Sequence, residues 1–291
     1  MLAVLPQLVV SGIATGMLYA LIALSLTVGY RATTVVNFGH GEMVMAGAYA
    51  LFVFAGFGLS FAPALILALG LLFLWGALTQ RVFMRPIISG PHLSLAMMAL
   101  AIGYAMRGGA RLRWGSEVVT LTRPYSQDVF MLGPVVVTMD DLAISGFVLV
   151  LMGSLSILFY LTPVGRLVQA VFQSQRGAAL VGLNVHAFHA MMWGVGAALG
   201  AAGGALLGLF LPLSPDMGVW TLVRGFAAMT LGGFGSFHGA VIGGLLLGVM
   251  EKLLGFYINT VFIDITAYLI TILVLLIRPA GLFGRQTVVR I

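Results

Sequence analysis

The sequence has no cysteine and very little charge. Without cysteine, disulfides, thiolate catalysis and cysteine-ligated zinc are excluded. Only 8% of the 291 residues are charged, whereas a soluble domain carries about 25%. The chain is instead 61% hydrophobic, with a mean hydropathy of +1.12. Because it cannot cover a water-facing surface, it is predicted to be an integral membrane protein.

Lysine is also nearly absent, since Lys252 is the only one. A phosphate-binding loop needs a lysine after its glycines, but Lys252 lies in "GVMEKLLG", which is no such loop. We therefore expect neither ATP hydrolysis by this route nor a cofactor. The arginines that carry the net charge of +6 are dispersed between apolar runs. That pattern favours topology signals and contacts with membrane lipid over nucleic acid.

The apolar runs have the length of membrane-spanning helices, about 17 to 25 residues. They predict an all-α, polytopic transmembrane bundle that forms a single transmembrane domain over residues 1–291, with about eight spans and one shorter segment that could be a half-helix. The predicted spans are 7–29, 41–58, 62–80, 92–107, 142–162, 190–211, 238–256 and 261–278, and the shorter segment is 220–231.

Arginine placement favours an N-terminus outside the cell, because positive charges concentrate in cytoplasmic loops. With that orientation, the inside set is Arg31, Arg81, Arg85, Arg166, Arg176, Arg278, Arg285 and Arg290. The opposing set is Arg107, Arg111, Arg113, Arg123, Arg224 and Lys252.

Glycine recurs every four residues at 196, 200, 204 and 208, which places these glycines on one helical face. Such a stripe favours close helix packing, although a sliding surface for a moving helix is a second interpretation. Smaller sets occur at 12 and 16 and at 235, 239 and 243.

The stretch "TTVVNFGHGEMVMAGAYA" (33–50) places polar groups between apolar runs: Asn37, His40 and Glu42, with Gly39 and Gly41 beside the histidine. Glycine lowers helix propensity, and an ionisable residue at membrane depth is a functional hypothesis. We interpret the stretch either as a helix break with capping groups or as a lining of a translocation path. A weakly similar pattern, "GFGSFHGAVIGGLL", contains Gly235 and His238 and suggests an internal repeat of the kind found in transporters.

The polar segment 162–188 is predicted to form one or two short helices on the cytoplasmic side. It is either a solvated connection or a docking element for a cytoplasmic partner. The candidate docking residues are Gly165, Arg166, Gln173, Arg176 and Gly182. His186 and His189 have a spacing that could face one metal, but no third ligand lies nearby, so polar packing is favoured and no metal site is predicted.

Four stretches resemble the LivH-type permease family of bacterial ABC importers for branched-chain amino acids. "GMLYALIALSLTVGYRATTVVNFGHGEMVMAGAY" is similar to its first two spans, and "FAAMTLGGFGSFHGAVIGGLLLGVME" to its late glycine-rich segment. "ILVLLIRPAGLFGR" is similar to its C-terminal signature, and "TPVGRLVQAVFQSQRGAALVGLNV" to its cytoplasmic coupling loop. The resemblance covers nearly the whole chain, in order.

This resemblance implies a permease subunit in the bacterial inner membrane, with separate ATPase subunits driving transport of branched-chain or other hydrophobic amino acids. It implies four partners: a second, LivM-like permease, two cytoplasmic ATPases and a periplasmic substrate-binding protein. The residues alone leave two alternatives open. One is a self-sufficient secondary transporter or channel, in which the close pair His40 and Glu42 would have to form the ion or proton relay. The other is a structural membrane subunit. Neighbouring ATPase and binding-protein genes would favour the importer.

Overall fold

The computed structural model describes residues 4–88, 90–115, 117–133 and 135–284. Its helices are α1 (Leu5–Thr33), α2 (His40–Gly56), α3 (Phe61–Thr79), α4 (His92–Trp114), α5 (Met139–Leu161), α6 (Pro163–Gln173), α7 (Gln175–Leu180), α8 (Val185–Phe210), α9 (Met217–Gly232), α10 (Phe237–Tyr257) and α11 (Phe262–Ile277). A π-helical turn (Gln80–Met84) and a 3₁₀ turn (Arg85–Ile87) continue α3. The prediction of an all-α bundle is confirmed, and each of the eight predicted spans corresponds to a helix.

Helix lengths depart from the sequence prediction at several places. Within the described residues, six helices are long and apolar enough to cross a membrane, namely α1, α3 with its continuation, α4, α5, α8 and α10. Helices α2 and α11 are shorter, at 17 and 16 residues. Helix α4 runs to Trp114 rather than to residue 107, and α8 begins at Val185 rather than at 190. The predicted half-helix is α9, which has 16 residues.

A short antiparallel hairpin was missed from sequence. Strand β1 (Val129–Leu132) pairs with β2 (Val135–Thr138), with Val129 opposite Thr138. The Gln7 side chain bonds both backbone groups of Val136, at 2.7 and 2.8 Å, and so ties β2 to the start of α1. Thr138 then caps α5 through a reciprocal bond with Asp141.

Glycines bring the central helices into backbone contact. A Cβ added to Gly12 would lie 2.7 Å from Val249 Cα, and one added to Gly16 would lie 2.8 Å from Leu245 Cα, so α1 and α10 pack without side chains between them. In α8, Gly196 faces Ser25 of α1, and Gly204 faces the Val44 backbone of α2. This geometry favours the close-packing interpretation of the glycine stripe.

The bundle has two ends. One end, which we call the α6 end, contains helices α6 and α7, the end of α1 and the starts of α8 and α10. At this end, Gln175 of α7 donates to the carbonyl of Ala32. The hairpin end carries the start of α1, the β-hairpin and the start of α5. Of the predicted inside arginines, Arg285 and Arg290 lie outside the described residues, and the other six lie at or beside the α6 end.

Candidate functional site

The helix break covers residues 34–39, so it includes Gly39 and ends before His40 and Gly41. Helix α1 ends at Thr33, and Thr34 adopts a left-handed conformation with φ 57°. The chain then returns into the bundle as irregular backbone over residues 34–39, and α2 begins at His40. Such backbone is tolerated at membrane depth only where protein surrounds it.

Asn37 closes this break with its own hydrogen bonds. Its side-chain Oδ1 accepts from the Gly39 amide at 3.0 Å, and its carbonyl accepts from the His40 amide at 3.1 Å. Its Nδ2 donates to Met43 Sδ at 3.6 Å. Asn37 therefore caps the turn that leads into α2, while Gly39 occupies the N-cap position itself.

Gly39 and Gly41 are required by close approach on two sides. A Cβ on Gly39 would collide with the carbonyl of Ala99 in α4, and one on Gly41 would collide with the carbonyl of Gly218 in α9. The first turn of α2 is thus wedged between the backbones of α4 and α9.

His40 is buried and braces α2 against α1. Its Nε2 lies 2.7 Å from Ser25 Oγ. Because the Ser25 hydroxyl donates its single proton to the Ile22 carbonyl at 2.6 Å, the pairing is complete when Nε2–H of His40 donates to Ser25. A Cβ on Gly200 would lie 2.9 Å from His40 Nε2, so α8 closes the third side.

Glu42 forms a buried ion pair with Arg107 of α4, about two turns before the end of that helix. Their side chains are 6% and 15% exposed. Gly103 leaves room for the carboxylate, since a Cβ there would lie 3.1 Å from Glu42 Oε2. The Arg107 guanidinium also lies 5.1 Å from the Tyr104 ring centroid. The pair joins the helix break to α4 at a depth where an unpaired charge is costly.

Sequence reasoning placed Arg107 at the end of the predicted span 92–107 and missed this pair. A usable signal was present, because Arg107 stands at the end of one apolar run and Glu42 at the start of another. Ionisable residues within a membrane pair with one another.

A second polar cluster was also missed. Arg224 of α9 lies 3.4 Å from Glu251 of α10 and 3.2 Å from Asp264 of α11, and Tyr19 of α1 donates to Glu251 at 3.1 Å. These groups, with Lys252, line a cavity of about 580 Å³. The cluster joins four helices near the hairpin end.

Gly235 and His238 do not join the Asn37–Glu42 stretch. Gly235 has φ +76° in the short connection between α9 and α10 and faces Tyr30. The exposed His238 ring lies 5.9 Å from the Tyr160 ring of α5. The two histidine-bearing breaks therefore contact different parts of the bundle.

Two short helices, α6 and α7, occupy most of the predicted docking segment, and 185–188 belong to α8 instead. Gly165 is buried, and a Cβ there would collide with the Phe159 carbonyl. Gly182 turns the chain with φ +86°. The predicted docking side chains that remain exposed are those of Arg166, Gln173 and Arg176.

The docking segment is attached directly to the end of α1. Gln175 donates to the Ala32 carbonyl at 3.0 Å. The Arg31 guanidinium lies 4.7 Å from the Phe172 ring centroid and 4.9 Å from that of Phe237. Since Asn37 follows within six residues, a displacement of α6 and α7 would reach the helix break through a short, packed route.

Comparison with known proteins agrees with this architecture. The model of the family described as "Branched-chain amino acid transport system / permease component" matches residues 8–278. The chain is 30% identical to the high-affinity branched-chain amino acid transport system permease protein LivH of Salmonella typhimurium, over 98% of this chain and 97% of that protein. It is also 30% identical, with the same coverage, to BraD of Pseudomonas aeruginosa, which carries the same description.

More distant matches extend the comparison. A probable branched-chain amino acid transport permease protein LivH of Methanocaldococcus jannaschii is 30% identical over 92% of this chain and 89% of that protein. The solved structure of PsaBC from Streptococcus pneumoniae in complex with Fab shares the fold, with a TM-score of 0.50 at 13% identity, covering 94% and 92% of the two chains. The chain is thus a multi-pass membrane protein, and it belongs to the family of permease components of branched-chain amino acid transport systems.

Proposed function

We propose that this chain forms part of the translocation path of an ABC importer for branched-chain or other hydrophobic amino acids, in the bacterial inner membrane. Family membership supports the transport role, and the relatives' descriptions name the branched-chain amino acid system. The observation that carries the proposal is the buried Glu42–Arg107 pair beside an irregular segment, 34–39, inside the bundle.

The chemistry of the break suits a moving brace better than a charge-binding site. The charges of Glu42 and Arg107 pair with each other, and His40 is held by Ser25, although Arg107 Nε has no hydrogen-bond partner among the described residues. A branched-chain amino acid carries its charges on the α-ammonium and α-carboxylate groups, and Glu42 and Arg107 pair with each other instead of being left open to bind them. We therefore assign Asn37, His40 and Glu42 to holding the geometry of α2 beside the path.

Energy would enter through the docking segment. Arg166, Gln173 and Arg176 present polar groups to the outside of the α6 end, and α7 bonds the last turn of α1. ATP-driven closure of two cytoplasmic ATPase subunits would displace α6 and α7, and the displacement would pass along α1 to the break. A periplasmic substrate-binding protein and a second, LivM-like permease would complete the assembly.

Charge reversal in the docking segment tests this coupling. A tagged copy is purified with its partners, and leucine uptake is measured in proteoliposomes loaded with ATP. Arg166→Glu and Arg176→Glu are expected to lose ATPase subunits on purification and to lose uptake. Arg278→Glu is the matched control, because it changes an exposed arginine at the same end outside this segment.

Two outcomes would contradict the proposal. Leucine uptake that continues without any ATPase subunit would identify a self-sufficient transporter. Wild-type ATPase recovery in both docking variants would place the contact elsewhere on the surface.

A further inference from the structure

A cavity at the α6 end lies between the continuation of α3 and the start of α8. Its volume is about 430 Å³, within the range of ligand sites. The side chains of Gln80, Arg81, Arg85, Asn184 and His186 line it. None of these residues belongs to the helix break or to the second polar cluster.

Gln80 is a buried polar group without a partner. Its residue is 0% exposed, and neither Nε2 nor Oε1 forms a hydrogen bond with any residue that the structure describes. Buried side-chain amides are nearly always bonded, so an unsatisfied one needs an explanation. Gln80 opens a π-helical turn, a deviation that occurs often at functional sites. The amide therefore marks a position where a ligand would supply the missing bonds.

The charges around the cavity select an anion. Arg81 and Arg85 are exposed, and the ion pairs within the described residues do not include them. Asn184 caps the 26-residue helix α8 at the cavity, which adds the positive end of a helix dipole. The described lining contains no carboxylate.

The surface beside the cavity identifies the source of the anion. Leu67, Leu71, Leu74 and Leu78 are exposed on one face of α3, at alternating spacings of four and three. The same spacing continues to Arg81 and Arg85, so an apolar stripe ends at the two cations. A membrane lipid has its groups in the same order, with an apolar acyl chain followed by a charged headgroup.

We propose that this cavity binds the phosphodiester headgroup of an anionic phospholipid, whose acyl chain lies along the leucine stripe of α3. Arg81 and Arg85 pair with the phosphate, and the Gln80 amide donates to one of its oxygens. Basic cavities between helices on the cytoplasmic side bind lipid headgroups in this way.

Lipid retention on the purified full chain tests the proposal. Native mass spectrometry would compare phosphatidylglycerol with phosphatidylcholine for wild type, Arg81→Gln, Arg85→Gln and the same-end control Arg278→Gln. We expect wild type and the control to retain phosphatidylglycerol preferentially. Each cavity variant should weaken that binding about fivefold, the equivalent of ~1 kcal/mol per basic residue.

Gln80→Leu supplies a readout independent of charge. Without added lipid, this variant should melt no lower than wild type, because an unpaired buried amide is removed. Phosphatidylglycerol should raise the melting temperature of wild type more than that of Gln80→Leu, which keeps both arginines but lacks the amide bond to the phosphate.

Four results would overturn the proposal. The first two are equal retention of both lipids by wild type and unchanged phosphatidylglycerol binding in both arginine variants. The third is a thermal shift from inorganic phosphate alone that equals the shift from phosphatidylglycerol, which would indicate a free anion. The fourth is loss of co-purifying ATPase subunits from the arginine variants while their lipid binding stays intact, which would assign the cavity to a protein partner.

Discussion

Two carboxylate–arginine pairs of this protein differ mainly in how deeply they are buried. Glu42 and Arg107 are nearly enclosed, whereas the side chains of Arg111 and Asp216 are 52% and 56% exposed. Removing one partner of a buried pair leaves an uncompensated charge and costs about 3–5 kcal/mol. An exposed pair contributes about 0–1 kcal/mol.

We therefore expect Glu42→Leu to lower the free energy of unfolding in detergent by about 3–5 kcal/mol. The double variant Glu42→Leu with Arg107→Leu should regain most of that loss, because no lone charge stays buried. Arg111→Leu, the exposed control, should change stability by less than about 1 kcal/mol. Equal losses in the single and double variants would show that the two side chains are not energetically coupled.

The residues of the break are expected to differ in their effect on uptake. Asn37→Leu removes bonds to Gly39 and Met43, and Glu42→Leu removes the ion pair. His40→Asn removes a single bond to Ser25 and keeps a polar side chain. Uptake by the reconstituted protein should fall further in Asn37→Leu and Glu42→Leu than in His40→Asn. Wild-type uptake rates in all three variants, at wild-type expression, would show that this stretch only packs within the bundle.

At the scale of helices, some glycines allow two helices to approach closely, whereas others stand where a larger side chain would fit. Gly204 of α8 lies against the Val44 carbonyl, whereas Gly153 of α5 has open space where a Cβ would stand. Gly153→Ala should be neutral or stabilising by up to about 1 kcal/mol, through helix propensity alone. Gly204→Ala should destabilise by roughly 1–3 kcal/mol, through forced separation of α8 and α2.

Thermal unfolding followed by circular dichroism compares the two alanine variants directly. If Gly204→Ala melted at the same temperature as Gly153→Ala, the backbone approach of α2 to α8 would be looser than described. A fall confined to Gly204→Ala would support the packing role of the glycine stripe.

Helix ends were predicted least well where charge lies within a helix. The predicted span ended at Arg107, the first arginine of "RGGARLR", but α4 continues through this stretch to Trp114. Arg107 is neutralised by Glu42, and Arg111 and Arg113 occupy the last turn, where cations interact favourably with the helix dipole. A span predicted from hydropathy alone ends too early in such a helix.

At the scale of the molecule, the burial of Arg107 and Arg224 in ion pairs strengthens the predicted orientation. Neither is then a loop charge, so the described hairpin-end set falls to Arg111, Arg113, Arg123 and Lys252. The described α6-end set is Arg31, Arg81, Arg85, Arg166, Arg176 and Arg278. The positive-inside rule therefore favours a cytoplasmic α6 end more clearly than the sequence count did.

Cysteine labelling tests the orientation without background, because the chain has no cysteine. Gln173→Cys is exposed at the α6 end, and Met131→Cys, at a position 81% exposed, lies in the hairpin at the other. An impermeant reagent added from the periplasmic side should label Met131→Cys and spare Gln173→Cys. The reverse pattern would invert the protein in the membrane.

The isolated chain is expected to hydrolyse no ATP and to gain that activity only with cytoplasmic partners. The reason is its single lysine, which lies within α10. A phosphate-release assay on the homogeneous subunit, with the co-purified assembly as a positive control, measures this. Hydrolysis by the subunit alone would contradict the assignment of energy coupling to separate proteins.

The sequence by itself determined the membrane class, the helical architecture and the approximate positions of eight apolar helices. Those properties follow from local composition, because every apolar run of sufficient length must satisfy its backbone internally. The segment 162–188 and the polar break were also recognisable, since polar residues and glycines interrupt otherwise apolar sequence.

Only the tertiary structure decided which charges meet. Glu42 pairs with Arg107 across 65 positions of sequence, and Arg224 reaches both Glu251 and Asp264. It also separated His238 from His40 and brought Gln80 beside the start of α8. Composition and spacing report neighbours along one helix, whereas these contacts depend on how closely glycine faces let different helices approach, which no single segment encodes.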